Sequence, residues 1–263
     1  MGELSKKTLR SIHCAADIIR GAKHITVLTG AGVSTPSGIP DFRSTKSGLW
    51  ERVDPFEVAS LDSFRYHPEK FFNWIRPLAR DMRSAQPNVA HLSLAHLEQA
   101  GLVKTVITQN IDGLHQRAGT KNVLEVHGTF ERMTCVSCYL HVPSQGHIED
   151  YLEKGQIPRC PKCRNILKPD VVLFGEQLPA RTWLQAVEAS KCCDVMIVAG
   201  SSLEVLPVAG LPMRALDHGA HLILINQSQT YLDVRADVMF GDDVIDIIPR
   251  IVREVLGDEN KSQ

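Results

Sequence analysis

The sequence predicts an α/β protein in which helices cover both faces of a parallel sheet and a smaller domain interrupts the chain. Short apolar runs alternate with helical patterns along most of the 263 residues, and this alternation is typical of a parallel sheet. Two regions break it: residues 36–86 carry aromatic-rich helical pieces, and residues 131–168 carry two cysteine pairs in a polar stretch. We therefore expect a small domain assembled from two separate pieces of chain.

The composition bounds the class of protein. Hydrophobic residues make up 43% and charged residues 22%, with a formal net charge of -1, so no overall basic field attracts nucleic acid or anionic lipid. The first residues contain no continuous apolar signal segment, and no run reaches the ~20 apolar residues of a membrane-spanning helix. Seven cysteines, an odd number, favour a reducing compartment over a disulfide framework. We therefore expect a cytoplasmic protein that binds neither membrane nor nucleic acid directly.

The elements follow in order along the chain. Apolar residues recur at helical spacing through residues 5–21, and residues 24–29 form a short apolar run that ends in Gly30, as expected of a buried strand leading into a glycine turn. Within residues 36–86, Pro77 predicts a kink or break. Further strands are predicted at residues 103–108, 123–126, 171–174, 195–199 and 221–225, and helices at residues 88–100, 180–191, 208–216 and 244–256.

Four of the cysteines form two Cys-x-x-Cys pairs, Cys135 with Cys138 and Cys160 with Cys163. Two such pairs supply four thiolates, the ligand set of a tetrahedral zinc site. Because four sulfur ligands leave no position open for water, this zinc would brace the fold and take no part in the chemistry. A redox pair and a nucleic-acid-binding zinc ribbon are the alternatives, and the second is disfavoured by the scarcity of aromatics among its few basic residues.

A glycine-rich loop follows the first predicted strand and runs from Gly30 to Arg43. Gly30 and Gly32 would let backbone N–H groups approach a pyrophosphate closely. The loop is not the dinucleotide fingerprint, because Thr35 stands where its third glycine would fall, and a tight strand-to-loop turn is the alternative. Arg43 can bind phosphate, and Phe42 can face a flat ring.

Two further loops place polar groups at strand ends, where parallel sheets bind ligands. Gln109, Asn110 and Asp112 follow the strand at residues 103–108 and could hold a carboxamide, a water molecule or a ribose. His127 ends the next predicted strand and precedes a glycine, a position suited to a general base. A structural histidine is the alternative for His127 taken alone.

The later strand ends repeat this arrangement. The apolar run at residues 171–174 leads into Gly175 and could pair with an extended peptide, although an ordinary core strand is the alternative. Gly-Ser-Ser at residues 200–202 and Asn226 follow two more predicted strands. Hydroxyl, amide and backbone N–H groups at such positions suit ribose and adenine.

Taken in order, these motifs resemble the sirtuins, the NAD-dependent protein-lysine deacylases. The ordered set is GAGVS…SGIPDFR, TQNIDGLH, HG, CxxC…CxxC, FGE, GSSL and IN, and it covers nearly the whole chain. The resemblance implies a Rossmann-like, doubly wound parallel sheet domain in residues 1–35, 87–130 and 169–263. It also implies a smaller discontinuous domain, with a helical part in residues 36–86 and a zinc-binding part in residues 131–168. NAD would be the co-substrate, and one structural Zn²⁺ would be bound.

The resemblance further implies roles for individual residues. Its NAD-binding residues match Gly30, Ala31, Gly32, Thr35, Asp41, Phe42, Arg43, Gln109, Ile111, His127, Gly200, Ser201, Ser202, Asn226 and Val244. Its catalytic residues match His127, Asn110 and Asp112, and its substrate-binding residues match Val172, Phe174 and Gly175. The structural zinc would be held by the four cysteines of the two pairs.

The same resemblance implies the chemistry. In sirtuins the carbonyl oxygen of an acyl-lysine attacks the ribose C1′ of NAD and nicotinamide leaves; His127 would then help to deprotonate a ribose hydroxyl. The products would be free lysine, nicotinamide and O-acyl-ADP-ribose. A protein mono-ADP-ribosyltransferase using the same NAD site is the alternative, and a non-catalytic NAD-sensing or zinc-ribbon protein is disfavoured because a binder needs no base. The chain departs from the family at Lys168, often Arg, and at Ser201, commonly Thr; neither is expected to take part in the reaction.

The acyl group is expected to be neutral, such as acetyl or a longer chain. Sirtuins that prefer succinyl or malonyl groups carry a Tyr and an Arg three residues apart in the helix before the Pro-Asn motif. Here these places fall at about Ile75 and Leu78, before Pro87, so neither offers a cation to an acidic acyl group. Arg76 and Arg80 lie nearby in the sequence and leave the question open.

Overall fold

The computed structural model describes residues 5–41 and 53–257. Phe42 and Arg43 lie outside the described residues, so their roles stay predictions. The helices are α1 (Lys6–Gly21), α2 (Pro55–Val58), α3 (Leu61–Tyr66), α4 (Pro68–Ser84), α5 (Val89–Gln99), α6 (Leu114–Arg117), α7 (Gln145–Lys154), α8 (Ala180–Cys192), α9 (Leu211–Asp217) and α10 (Val244–Leu256). The strands are β1 (Ile25–Thr29), β2 (Val103–Thr108), β3 (Val123–Glu125), β4 (Gly128–Cys135), β5 (His141–Pro143), β6 (Leu167–Val171), β7 (Val195–Ala199), β8 (His221–Ile225) and β9 (Val238–Phe240). Across these two ranges, every helix is too short or too polar to cross a bilayer.

Six strands form a parallel sheet in the order β3-β2-β1-β7-β8-β9. The order runs outward from β1 in one direction and from β7 in the other, which is the doubly wound Rossmann arrangement. Every residue of β1 and β7 is buried, which explains why these strands are continuous apolar runs. The predicted fold class is thus confirmed. Strands β4, β5 and β9 were not predicted.

Two hydrophobic clusters cover the two faces of this sheet. Successive side chains of a strand point to opposite faces, so along β7 Ile197 joins one cluster and Val198 the other. The first cluster includes buried residues of α1, α5 and α10, and the second includes buried residues of α8 and α9. The strand ends that carry the polar loops therefore rest on a core packed from both sides.

Helix α4 continues through Pro77, so the predicted break is wrong. Proline removes a backbone donor and costs about 3 kcal/mol inside a helix. Pro77 is exposed, and so is Asn73, whose carbonyl loses its partner, so water can hydrate that carbonyl. Phe71, Ile75 and Leu78 are buried on the opposite side and pack with residues of β4, α7 and β6 in one hydrophobic cluster.

The second sheet has three antiparallel strands in the order β5-β4-β6. Strand β6 pairs with β4, so the prediction of a parallel-sheet strand at residues 171–174 is wrong. From Leu167 to Val171 the side chains alternate between buried and half-buried, which is typical of a strand with one covered face. Pro169 is tolerated because β6 is an edge strand, where a missing donor breaks no ladder hydrogen bond.

One hydrophobic cluster joins the helical piece, within residues 36–86, to the cysteine-bearing piece, residues 131–168. It contains Phe72 of α4, Met133 of β4, Tyr151 of α7 and Leu167 of β6. Cys135 and Cys160 are buried members of it, and Cys138 and Cys163 pack against it. The Tyr151 hydroxyl also donates a hydrogen bond to the Phe72 carbonyl. The two pieces, far apart in sequence, thus share a core.

Candidate functional site

The polar loops meet where the strand order reverses, between β1 and β7. In doubly wound sheets this is the place where ligands bind, at the carboxyl ends of the strands. Gly30 follows β1 and donates its N–H to the Ala199 carbonyl at 3.1 Å, while Gly32 donates to the Gly200 carbonyl at 2.9 Å. The two strand-end loops are therefore in direct backbone contact.

Glycine is required on both sides of this contact. A Cβ on Gly30 would lie 2.7 Å from the Gly200 oxygen, and a Cβ on Gly200 would lie 2.4 Å from the Val33 nitrogen. Gly200 also has a φ of 60°, which residues with a Cβ rarely adopt. The predicted glycine pair thus brings two loops together, and its own N–H groups are used there instead of reaching a pyrophosphate.

Asn110 presents one group to the site. Its Nδ2 donates to the Gly30 carbonyl at 3.1 Å and to Ser34 Oγ at 3.0 Å, and its backbone N–H donates to Thr108 Oγ1 at 3.1 Å. Both amide hydrogens are therefore used inside the protein. The side-chain oxygen Oδ1 is what Asn110 offers a ligand, which makes it an acceptor for an N–H or O–H group.

Asp112 stands behind Ser34. Its Oδ2 accepts from Ser34 Oγ at 2.7 Å, and its Oδ1 accepts from the Leu114 N–H at 2.9 Å. Burial raises the pKa of this carboxyl, and the hydrogen bonds from Leu114 and Ser34 oppose that rise. Asp112 is 7% exposed, and neither Asp112 nor Ser34 is in the cavity wall described below, so Asp112 is linked to the cavity through Ser34 and Asn110.

His127 follows β3, and its ring has a defined tautomer. Nδ1 lies 3.2 Å from the Gln109 carbonyl oxygen. A carbonyl can only accept, so Nδ1 carries the hydrogen and Nε2 is the basic nitrogen of the neutral ring. The glycine after it is needed for space: a Cβ on Gly128 would lie 1.9 Å from the Asp170 oxygen, and its φ is 78°.

Gln109, Ser201 and Asn226 connect the ends of β2, β7 and β8. Gln109 Nε2 donates to Ser201 Oγ at 2.7 Å. Asn226 accepts from the Ser201 N–H at 2.8 Å and donates from Nδ2 to the Ser201 carbonyl at 2.7 Å. Asn226 therefore fixes the backbone of Ser201 with both ends of its amide.

Residues 172–175, here called the 172–175 segment, are a loop beside His127. The Val172 N–H donates to the His127 carbonyl at 2.8 Å. Both backbone groups of Phe174 bond to residues 59–61, at 2.9 Å each. The segment thus links the loop of the candidate base to the helical piece, and the backbone of Phe174 is already paired within the protein.

These groups surround a single cavity of about 1050 Å³, at the upper end of the range of small-molecule sites. The structure places almost every described residue predicted for the site in its wall. Those wall residues are Gly30, Ala31, Gly32, Thr35, Asp41, Gln109, Asn110, Ile111, His127, Val172, Phe174, Gly175, Gly200, Ser201, Ser202, Asn226 and Val244.

One end of the cavity is apolar. Its wall includes Phe71, Trp74, Ile75 and Leu78 of α4. Phe71, Ile75 and Leu78 follow one another at helical spacing and are at most 3% exposed, so this end of the cavity enters the core of the small domain. The loop polar groups and the α4 side chains give the cavity two chemically different ends.

The four predicted metal ligands converge away from the cavity. The Sγ atoms of Cys135, Cys138, Cys160 and Cys163 all lie within 4.8 Å of one another. Three of the Sγ–Sγ distances are 3.3, 3.5 and 3.6 Å, close to the ~3.8 Å expected between thiolates around tetrahedral zinc with bonds of about 2.3 Å. The donor set fits one structural Zn²⁺, and none of the four cysteines is in the cavity wall.

Two histidines are buried behind the loops. His91 of α5 and His115 of α6 have ring centroids 4.8 Å apart. His115 Nε2 lies 2.9 Å from Thr29 Oγ1, which itself donates to Thr108, so Nε2 carries the hydrogen. Burial lowers the pKa of His91 to about 4, and burial with the neighbouring His91 lowers the pKa of His115 to about 3. Both rings are therefore neutral near pH 7.

Ser34 and Asn88 were not predicted as site residues. Ser34 joins Asn110 to Asp112, and Asn88 donates to the Val33 carbonyl at 2.9 Å and caps α5. A sequence signal existed for both, since Ser34 belongs to the glycine-rich loop and Asn88 stands at a helix start. Their contacts join residues 55 to 78 positions apart and could not be read from spacing.

Comparisons with known proteins agree with this geometry. The Sir2 family model matches residues 30–207. The NAD-dependent protein deacylase 2 of Archaeoglobus fulgidus is 46% identical over 245 residues, which cover 93% of this chain and 96% of that protein. The NAD-dependent protein deacetylase of Thermotoga maritima is 40% identical over 238 residues, or 90% of this chain and 96% of that protein.

Solved structures give the same result. One from work on the mechanism and regulation of Sir2 enzymes has a TM-score of 0.88 at 46% identity and covers 94% of this chain and 98% of its own. A Sir2 protein bound to a myristoylated histone peptide has a TM-score of 0.80 at 41% identity, covering 94% of this chain and 97% of its own. With its sheet order, its cavity and these matches along nearly its full length, the chain belongs to the Sir2 family.

Proposed function

We propose that this chain is an NAD-dependent protein-lysine deacylase acting on acetyl or other neutral acyl groups. Relatives that match it almost end to end bear that activity in their names. The observation that carries the proposal is that His127, Asn110 and the 172–175 segment line one cavity at the strand-order reversal. Acyl-lysine, NAD and water would give lysine, nicotinamide and O-acyl-ADP-ribose. Its protein substrates would be met in the cytoplasm, the compartment favoured by the odd cysteine count.

NAD would lie along the polar wall of the cavity. Ser201 and Ser202 follow β7, Val244 begins α10, and all three line the cavity wall, so they are assigned to the adenosine half. Asn226 would act through Ser201, whose backbone it holds. Asn110 is assigned to the nicotinamide half, where Oδ1 can accept from a carboxamide N–H. Bound NAD would supply the ribose, one hydroxyl oxygen of which receives the acyl group.

His127 would act as the general base. Its Nδ1 hydrogen is directed to the Gln109 carbonyl, so Nε2 is the nitrogen at which the neutral ring would take a proton from a bound hydroxyl group. General-base assistance contributes about 10²–10⁴-fold to a rate. His127→Ala should therefore lower turnover by about that factor while the zinc content stays unchanged.

The α4 side chains support a neutral acyl group. Ile75 and Leu78 line the apolar end of the cavity. Arg76 faces away from it: its Nη2 donates to the Leu152 carbonyl at 2.8 Å, and its guanidinium carbon lies 5.6 Å from the centre of the Tyr151 ring. The described residues of the cavity wall include no Lys or Arg, so an acidic acyl group would lose hydration among them without meeting a cation, which is unfavourable.

The function can be tested with acyl-lysine peptides of one sequence and NAD, with products followed by mass spectrometry. We expect one O-acyl-ADP-ribose per nicotinamide released, and faster turnover of acetyl-lysine than of succinyl-lysine. His96→Ala, at an exposed site on α5, is the control for His127→Ala and should keep full activity. A protein that gained ADP-ribose and released no O-acyl-ADP-ribose would show the alternative transferase activity. Full activity in His127→Ala would exclude His127 as the base.

A further inference from the structure

A partly buried ion pair between Lys168 and Glu176 supports the 172–175 segment. Glu176 lines the cavity wall, but the proposed reaction gives neither residue a chemical step. Lys168 Nζ lies 3.0 Å from Glu176 Oε2, and the two side chains are 15% and 22% exposed. The same Nζ donates to the Val171 carbonyl at 2.8 Å and to the Pro169 carbonyl at 3.3 Å. An ammonium group has three donors, and each has a partner here.

Glu176 holds the other end of the loop. The oxygen that faces Lys168 also accepts from the Leu173 N–H at 2.8 Å, and the Glu176 N–H donates to the Leu173 carbonyl at 2.9 Å. Gly175 makes the turn between them with a φ of 86°. Lys168 therefore holds the backbone before the segment, at the Pro169 and Val171 carbonyls. Glu176 holds Leu173 within the segment by two hydrogen bonds.

We propose that Lys168 and Glu176 are positioning residues, which hold the 172–175 segment in the conformation that receives the acyl-lysine peptide. The inference rests on the proposed deacylase function. The segment belongs to neither sheet. Leu173 packs in the hydrophobic cluster and Phe174 is held by residues 59–61, while the pair supports the turn from Val171 to Glu176 through the Val171 carbonyl and the Leu173 N–H. Lys168 acts through the segment and is absent from the cavity wall; the sequence had given it no part in the reaction.

The pair also connects the segment to the cysteine site. Lys168 lies on β6, next to Leu167, and Leu167 is paired in register with Cys135 on β4. A zinc ion bound at the four cysteines would keep β4 and β6 together at that point. The position of Lys168, and with it the 172–175 segment, is then set by a rigid sheet.

Breaking this pair should affect the peptide more than NAD. Removing one partner of a partly buried ion pair leaves the other charge without its partner, which is unfavourable where water is partly excluded. Lys168→Met keeps the length of the side chain and loses its charge and donors. We expect the KM for the acetyl-lysine peptide to rise about tenfold, the factor that equals about 1.4 kcal/mol, with the KM for NAD unchanged. Lys168→Arg keeps the charge and donors and should restore the peptide KM.

The matched control is Lys154→Met. Lys154 also pairs with a carboxylate, Asp150, at 2.6 Å, but both side chains are more than half exposed at 57% and 64%. Exposed pairs of this kind contribute little, so both KM values should stay at the wild-type level. The double variant Lys168→Met with Glu176→Gln should be no worse than Lys168→Met alone, because the second change removes the charge left unpaired.

Two results would overturn the proposal. One is a peptide KM for Lys168→Met equal to that of wild type; the other is an equal rise of the KM for NAD, which would indicate a general loosening of the cavity. If Lys168→Met fails to fold, Glu176→Gln takes its place, since it keeps an acceptor for Leu173, and an unchanged peptide KM in that variant would also overturn the idea. An inactive wild type would contradict the proposed function instead, and direct binding of a fluorescent acetyl-lysine peptide would then decide on the pair by the same comparison.

Discussion

Acidification should destabilise this fold because His91 and His115 are buried as neutral rings. Their pKa values in the folded protein are about 4 and about 3, while an unfolded chain has histidine pKa values of about 6.5. As the pH falls below about 6.5, His91 and His115 become protonated in the unfolded chain but stay neutral in the folded protein. The free energy of unfolding is therefore unaffected by these two histidines above about pH 6.5. It decreases as the pH falls from there toward their pKa values in the folded protein.

The magnitude follows from linkage. At pH 5 each histidine of the unfolded chain is about 1.5 pH units below its pKa, and one unit corresponds to 1.36 kcal/mol, so each contributes a loss of about 2 kcal/mol. The pair should lower the free energy of unfolding by about 4 kcal/mol between pH 7 and pH 5. Burial raises the pKa of Asp112 and of Glu125, and a raised carboxyl pKa opposes this loss as the pH falls.

A double variant separates the two histidines from all other groups. In wild type the Asn88 N–H donates to His91 Nδ1, and His91→Asn keeps an acceptor for it. His115→Gln keeps a donor for Thr29. Urea unfolding followed by tryptophan fluorescence at pH 7 and pH 5, with zinc present, gives the loss for each protein. Wild type should lose about 4 kcal/mol more than the double variant, and His96→Asn, at an exposed site, should behave as wild type. Equal losses in wild type and double variant would refute the reasoning.

The remaining predictions concern the metal and the loop contact. Chelation of zinc, or Cys160→Ser, should unfold the cysteine-bearing sheet and abolish deacylation, as measured by circular dichroism, metal content and turnover; a metal-free protein that stayed folded and active would exclude a structural role. Gly200→Ala should destabilise the protein by about 1–3 kcal/mol and raise the KM for NAD, because its Cβ would lie 2.4 Å from the Val33 nitrogen. Gly210→Ala, with open space around its Cβ, is the control, and equal urea midpoints for both variants would contradict the packing argument.

The sequence was sufficient for the sheet and for much of the cavity wall. Strands such as β1 and β7 are apolar at every position because both faces are buried, and that pattern survives without any knowledge of tertiary contacts. Polar residues directly after such strands, such as Gln109 and Asn110, must lie at one edge of the sheet. A parallel arrangement alone therefore brings them to one cavity, whatever ligand it holds.

The sequence could not predict which polar side chains face the cavity and which lie behind them. Asn110 and Asp112 are two residues apart and equally polar, yet one faces the cavity and the other lies behind Ser34. The apolar run at residues 171–174 also matches a core strand as well as it matches a loop. Two tertiary features decide between them. Strand β6, which contains Pro169, lies at the edge of the second sheet, and the backbone of Phe174 bonds to residues 59–61.

The zinc site and the cavity are separate in chemistry but continuous in structure. The cysteines lie outside the cavity wall, yet β4 begins at Gly128, directly after His127, and ends at Cys135, where it pairs with Leu167 of β6. Strand β4 therefore connects the cysteine site to His127. Strand β6 connects it, through Lys168, to the 172–175 segment. If both connections hold, loss of the metal should impair peptide binding before it impairs NAD binding, because the polar loops of the large sheet are held by Gly30, Gly200 and Asn226 without it.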